Sequence, residues 1–186
     1  MNFSSLAPIL LSAGILLAGN GLQVTMVAVR ANIEGFPAAL IGLLGTAYFI
    51  GFIGGCFLTA ELIRRAGHIR VFGALVALAA VSTLAMVVWI DPAVWTAARA
   101  VAGFCFAGLS MVLESWLNAK AQTADRGRIL ALYRMVDLFA VLGGQFLLPA
   151  FGARGFEVFA VVAMLFCLAI VPISLSVSYT HLDAAD

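Results

Sequence analysis

Apolar runs dominate the chain and are broken by short polar stretches. The runs cover about 6–29, 37–60, 70–90, 93–117, 129–150 and 155–176. A membrane-crossing helix needs roughly 20 mostly apolar residues, so each run predicts one transmembrane helix. The interruptions carry helix-ending chemistry: Arg30 to Pro37, the cluster from Glu61 to Arg70, Asp91-Pro92, Lys120 to Arg128, and Gly152 to Gly155. These connections are short, so successive helices are expected to be antiparallel neighbours.

Polar residues inside the runs recur in kind after three helices. The first run holds Asn20 and Gln23, and the fourth holds Arg99, Ser110 and Glu114. The second has Tyr48 among glycines, and the fifth has Arg134, Asp137 and Gln145 beside Gly143-Gly144. The third and sixth carry no central charge and little polarity beyond Ser82 and Thr83. This pattern predicts an all-α membrane protein of six transmembrane helices, arranged as two three-helix inverted repeats with the third helix of each facing lipid. Gly51-x-x-x-Gly55 and Gly103-x-x-x-Ala107 read as small-residue seams that let helices approach closely.

Helical geometry groups the polar residues further. At 100° per residue, Arg99, Gly103, Ser110 and Glu114 share one face of the fourth helix within about 60°. Arg134, Asp137, Val141 and Gln145 share a face of the fifth within about 80°. A charge at mid-bilayer costs at least ~2.5–3.5 kcal/mol on insertion scales, so such residues normally face a cavity or a partner. Two readings stay open for each. Glu114 either snorkels to the interface or titrates in a cavity, and Arg99 is either structurally paired or cavity-facing. Arg134 and Asp137, as i and i+3 neighbours, either neutralise each other or serve transport.

Composition agrees with a bilayer environment. Of 186 residues, 64% are hydrophobic and 10% charged, far from the roughly 25% charge of soluble domains. A net charge of +1 argues against a nucleic-acid partner. Cys56, Cys105 and Cys167 lie apart in apolar runs, without metal-ligand or disulfide spacing. The MNFSS start lacks a basic signal-peptide region. Metalloprotease, nucleophile-elbow, C-x-x-C and phosphate-loop motifs are missing, so no enzyme, cofactor or metal is expected. Arg64, Arg65, Arg70, Lys120, Arg126 and Arg128 lie in loops on one side, against Arg30 and Arg154 on the other. The bias puts the N-terminus in the cytoplasm.

Three segments carry a family resemblance. AELIRRAGHIR (60–70) resembles the loop signature of the major facilitator superfamily (MFS): Arg65, Gly67 and Arg70 fit it, while Arg64 and Ala60 stand where the family has an acid and a glycine. RAVAGFCFAG (99–108) resembles the fourth-helix signature through Arg99 and Gly103. Residues 112–145, with E-S-W-L-N and R-G-R-x-L-x-x-Y, closely resemble a poorly characterised bacterial branch of the superfamily. The fifth-helix Gly-Pro antiporter signature is missing. The resemblance covers residues 1–176 and implies the N-terminal six-helix half of a transporter. Such a half would partner a missing C-terminal half in the bacterial inner membrane. The pair would move a small solute by alternating access, proton-linked or facilitative. It further implies that helices 1 and 4 line the cavity, 2 and 5 the interface between halves, and 3 and 6 the periphery.

Residues 177–186 are read differently. VSYTHL (177–182) matches one frame of a transposon-end oligonucleotide used in sequencing libraries, and DAAD fits the adjoining adapter. The expectation is a translated adapter tail, with a natural linker as the alternative. The expected function is therefore half of a secondary transporter. Arg99, Glu114, Arg134, Asp137 and Gln145 are candidate cavity or coupling residues, Asn20 and Gln23 cargo-binding groups, and Arg65, Gly67 and Arg70 a gating loop. The rival is a non-transporting six-span scaffold or assembly protein.

Overall fold

A computed structural model describes residues 3–121 and 125–175 of the chain; the 177–186 segment lies outside them. The helices are α1 (Phe3–Ile33), α2 (Ala38–Ala66), α3 (His68–Val88), α4 (Pro92–Lys120), α5 (Arg126–Gln145), α6 (Leu148–Phe151) and α7 (Glu157–Leu168). Among the described residues, six segments are long and apolar enough to cross a membrane; the fifth joins α5 and α6 (Arg126–Phe151), and the sixth continues past α7 to Leu175.

Local chemistry sets the ends. The carboxylate of Asp91 accepts from the backbone N–H groups of Ala93 (2.9 Å) and Val94 (3.1 Å), with Pro92 opening α4. Such a cap meets the orphan amides of a first turn. Gly67 has φ 82°, a left-handed conformation that glycine adopts without strain, and this lets α2 turn directly into α3. The expected single run over 129–150 is divided. At Phe146 and Leu147 the amides bond back to Gly143 and Gly144 carbonyls at 3.2 and 3.1 Å, a tightened turn. Pro149 follows and has no N–H to continue the ladder.

Packing does not follow chain order. Lengthwise, α2 lies along α4 and α1 along α5, while α3 packs on α4, α7 on α1, and α3 and α7 on each other. Exchanging α1 with α4, α2 with α5 and α3 with α7 maps these main pairings onto themselves. That is the signature of two three-helix repeats, inverted because each has an odd number of spans. The row of neighbours is therefore α2, α4, α3, α7, α1, α5. Burial within this six-helix bundle differs among the helices. Half of the apolar window of α3 is buried, against 22% for α2 and 17% for the fifth span. Small residues such as Ala79, Ala80, Ser82 and Thr83 are buried on one face of α3, while Leu78, Val81, Leu84 and Val88 of the same helix are exposed.

The outer helices are held by close backbone crossings. A Cβ on Gly51 would strike the Ala100 carbonyl, and one on Gly103 the Tyr48 carbonyl. On the symmetric side, Gly21 abuts the Val141 carbonyl and Gly144 the Ala18 carbonyl. These contacts lie at equivalent places in the two repeats, α2 on α4 and α1 on α5. Around them, Trp95, Phe72, Phe159 and Phe166 fill the core. The indole N–H of Trp95 donates to the Met86 (2.8 Å) and Trp89 (3.1 Å) carbonyls, meeting the donor that burial would otherwise strand.

Candidate functional site: two polar clusters of the apolar bundle

The first cluster centres on Arg99, which is only 5% exposed. Its Nη1 donates to Oε1 of Gln23 on α1 at 3.3 Å. The Gln23 amide then donates to Oγ1 of Thr83 on α3 at 2.6 Å, and Thr83 donates to the Ala79 carbonyl at 2.8 Å. A continuous polar line thus crosses three helices in an apolar interior. Tyr48 on α2 lies under the guanidinium, 4.5 Å from its ring centroid to Arg99 Cζ, a cation–π contact. Asn20 interacts with the Tyr48 side chain, and its Oδ1 is buried without a hydrogen-bond partner. Among the described residues no carboxylate pairs with Arg99.

The second cluster bridges α4 and α5. Arg134 Nη1 lies 3.3 Å from Asp137 Oδ2, the i, i+3 contact that the spacing allows, and Nη2 lies 3.1 Å from Glu114 Oε1. Two carboxylates therefore share one guanidinium. Helical periodicity does not supply the Glu114 contact, because Glu114 and Arg134 lie on different helices. Beside the cluster, Tyr133 is buried and interacts with Ser110 of α4. Arg134 is exposed, with 64% of its side chain open, so this cluster is on an outer face of the bundle. Gln145, grouped with it by helical periodicity, is exposed and forms no side-chain hydrogen bond with the described residues.

The α2–α3 connection holds Arg65, Gly67 and Arg70. Glu61 pairs with Arg65 and, at 2.5 Å, with Arg64, so the end of α2 keeps a net positive charge. Arg70 is exposed and lines a shallow cavity of about 370 Å³ with Gly67, His68 and Trp116. His68 Nε2 lies 3.0 Å from Ser115 Oγ, tying this connection to the end of α4. At the opposite end of the repeat pair, Arg30 closes α1 onto the chain before α7. It pairs with Glu34 (2.6 Å) and donates to the carbonyls of Ala153 (3.2 Å), Arg154 and Gly155 (3.3 Å). From the sequence Arg30 marks the end of a span and counts toward the loop charge, but its partners before α7 are not legible there. No group of His, Cys, Asp and Glu among the described residues could hold a metal ion.

No family model matches the chain. Curated relatives do. An uncharacterised MFS-type transporter of Yersinia enterocolitica is 27% identical over 96% of this chain and 47% of its own length. The uncharacterised MFS-type transporter YcaD of Escherichia fergusonii is 31% identical over 88% of this chain and 44% of its own. A further one from Enterobacter sp. strain 638 is 30% identical over 75% of the chain and 37% of its own. The chain spans about half the length of the curated relatives it matches.

Proposed function

As a homologue of the major facilitator superfamily transporters, this chain is a multi-pass membrane protein, and from that premise we propose that it forms the N-terminal six-helix half of a secondary transporter. The transporter sits in the bacterial inner membrane with its N-terminus in the cytoplasm and moves a small solute by alternating access. Its activity is transport, not chemical transformation. The observation that carries this reading is the polar line Arg99–Gln23–Thr83 across an otherwise apolar bundle. Polar groups at this depth are expensive, and they characteristically mark solute or ion pathways.

Coupling is assigned to the second cluster. Arg134 faces both Glu114 and Asp137, so either carboxylate can take up a proton while the other keeps the guanidinium paired. The state of that proton would bias the contact between α4 and α5, which belong to different repeat positions. Rocking of the two halves then exposes the Arg99 region to alternate sides. The cation-rich α2–α3 connection, with Arg65, Gly67 and Arg70, lies on the cytoplasmic side and acts as its gate.

The test uses the full-length gene product in proteoliposomes. Glu114→Gln is expected to abolish gradient-driven accumulation while passive exchange continues. Unchanged accumulation would remove Glu114 from coupling. Flux no greater than in empty vesicles for every solute class would favour the scaffold reading instead.

A further inference from the structure

We propose that the Arg99 cluster is the binding site for a small organic anion that also carries a hydrogen-bond donor, such as a hydroxyl or amide N–H. As cargo, that anion rests on the transporter reading; as a binding site, the cluster stands on its own geometry. Arg99 is buried, with 5% of its surface exposed, and has no carboxylate partner among the described residues. Arg30 and Arg134 differ, since Arg30 has Glu34 and Arg134 has two carboxylates. A desolvated cation with only a neutral amide and a ring face for company lacks the counter-charge that burial normally demands.

The neighbours define what would supply it. One guanidinium N–H is used on Gln23, and the rest of that planar fork suits the paired oxygens of a carboxylate or a related oxyanion. Tyr48, half-buried beneath the guanidinium, offers a flat apolar wall for the body of such a molecule. Asn20 Oδ1 is a buried acceptor with no donor of its own, which selects a ligand bearing an O–H or N–H. Gln23 is fixed by Thr83, so the Arg99 head is held in place before the anion arrives and little ordering is lost on binding.

The probe is a uniformly 13C-labelled bacterial metabolite extract, separated by charge into anionic, neutral and cationic fractions. The full-length gene product is melted in the presence of each, and bound solutes are identified by mass. The anionic fraction is expected to raise the melting midpoint by several degrees, as a ligand confined to the folded state must. It should leave Arg99→Gln unshifted. A second variant, Gln23→Glu, places a carboxylate where the amide oxygen now accepts from Arg99. It should be at least as stable as the parent without ligand and lose at least ten-fold in affinity for the anionic solutes. Stabilisation by the neutral or cationic fraction alone, by no fraction, or an undiminished response in Gln23→Glu would each overturn the proposal. Flux into vesicles is scored separately, so a protein that binds anions but moves nothing would count against transport and not against the site.

Discussion

Glu114 of α4 and Arg134 of α5 meet at 3.1 Å across the gap between two helices, and Asp137 meets the same guanidinium from one turn further along α5. The arrangement makes the three residues unequal. Losing Asp137 leaves Arg134 with Glu114, whereas losing Arg134 leaves two carboxylates facing each other.

Folding yield should follow that inequality. Arg134→Met is expected to lower the yield of monodisperse protein several-fold, and Asp137→Asn only slightly, because exposed ion pairs contribute about 0–1 kcal/mol each. The triple variant Glu114→Gln/Arg134→Met/Asp137→Asn should recover the yield and still fail to accumulate solute. Size-exclusion profiles of tagged protein and vesicle uptake check both halves. A triple variant with normal transport would reduce the cluster to a structural role.

The glycine crossings predict a sharp positional contrast. Gly51→Ala, Gly103→Ala and Gly144→Ala each drive a methyl into a facing carbonyl, and overpacking of this kind costs about 1–3 kcal/mol. Gly42→Ala and Gly45→Ala meet nothing within 4 Å and should be neutral or slightly stabilising, since alanine is the better helix former. Thermal unfolding in detergent separates the two groups.

Arg30 should act as a clasp. Arg30→Met removes the donors that hold the carbonyls of Ala153, Arg154 and Gly155, on the order of 1–3 kcal/mol for the acceptors left without partners. Glu34→Gln keeps those donors and should cost less. Protease sensitivity between α6 and α7, compared in the two variants, measures the difference.

Orientation has a direct readout. A reporter fused after Lys120 should score cytoplasmic, and one fused at Asp91 external. The reverse result at both sites would overturn the charge-based assignment.

Much of this architecture is legible along the chain. Hydropathy alone locates six spans, and the recurrence of polar residues after three helices anticipates the two repeats. Short connections predict neighbours in chain order, and the lengthwise pairing of α2 with α4 and α1 with α5 departs from that. Gly51, Gly55 and Gly103 read as seams and lie at crossings. What periodicity cannot supply is register between helices distant in sequence. It places Arg134 beside Asp137, which share a helix, but not beside Glu114, which does not. The same limit hides the bond from Arg99 to Gln23 and leaves Gln145 grouped with a cluster it does not join. The break near Phe146 needed Pro149 to be read as a stop, although an apolar run surrounds it.

The order of packing bears on how the protein is made. Helices emerge from the ribosome one at a time, yet α1 finds its lengthwise partner only when α5 has been synthesised, and α2 must wait for α4. Until then the backbones at Gly21 and Gly51 have no facing helix, and Gln23, within reach of Thr83 once α3 is made, still lacks Arg99. Biogenesis therefore passes through a stage in which inserted segments are individually stable in lipid but mutually unassembled. A lesion that slows the arrival of α4 or α5 would expose the nascent chain to quality-control proteases, even where it leaves the finished fold untouched.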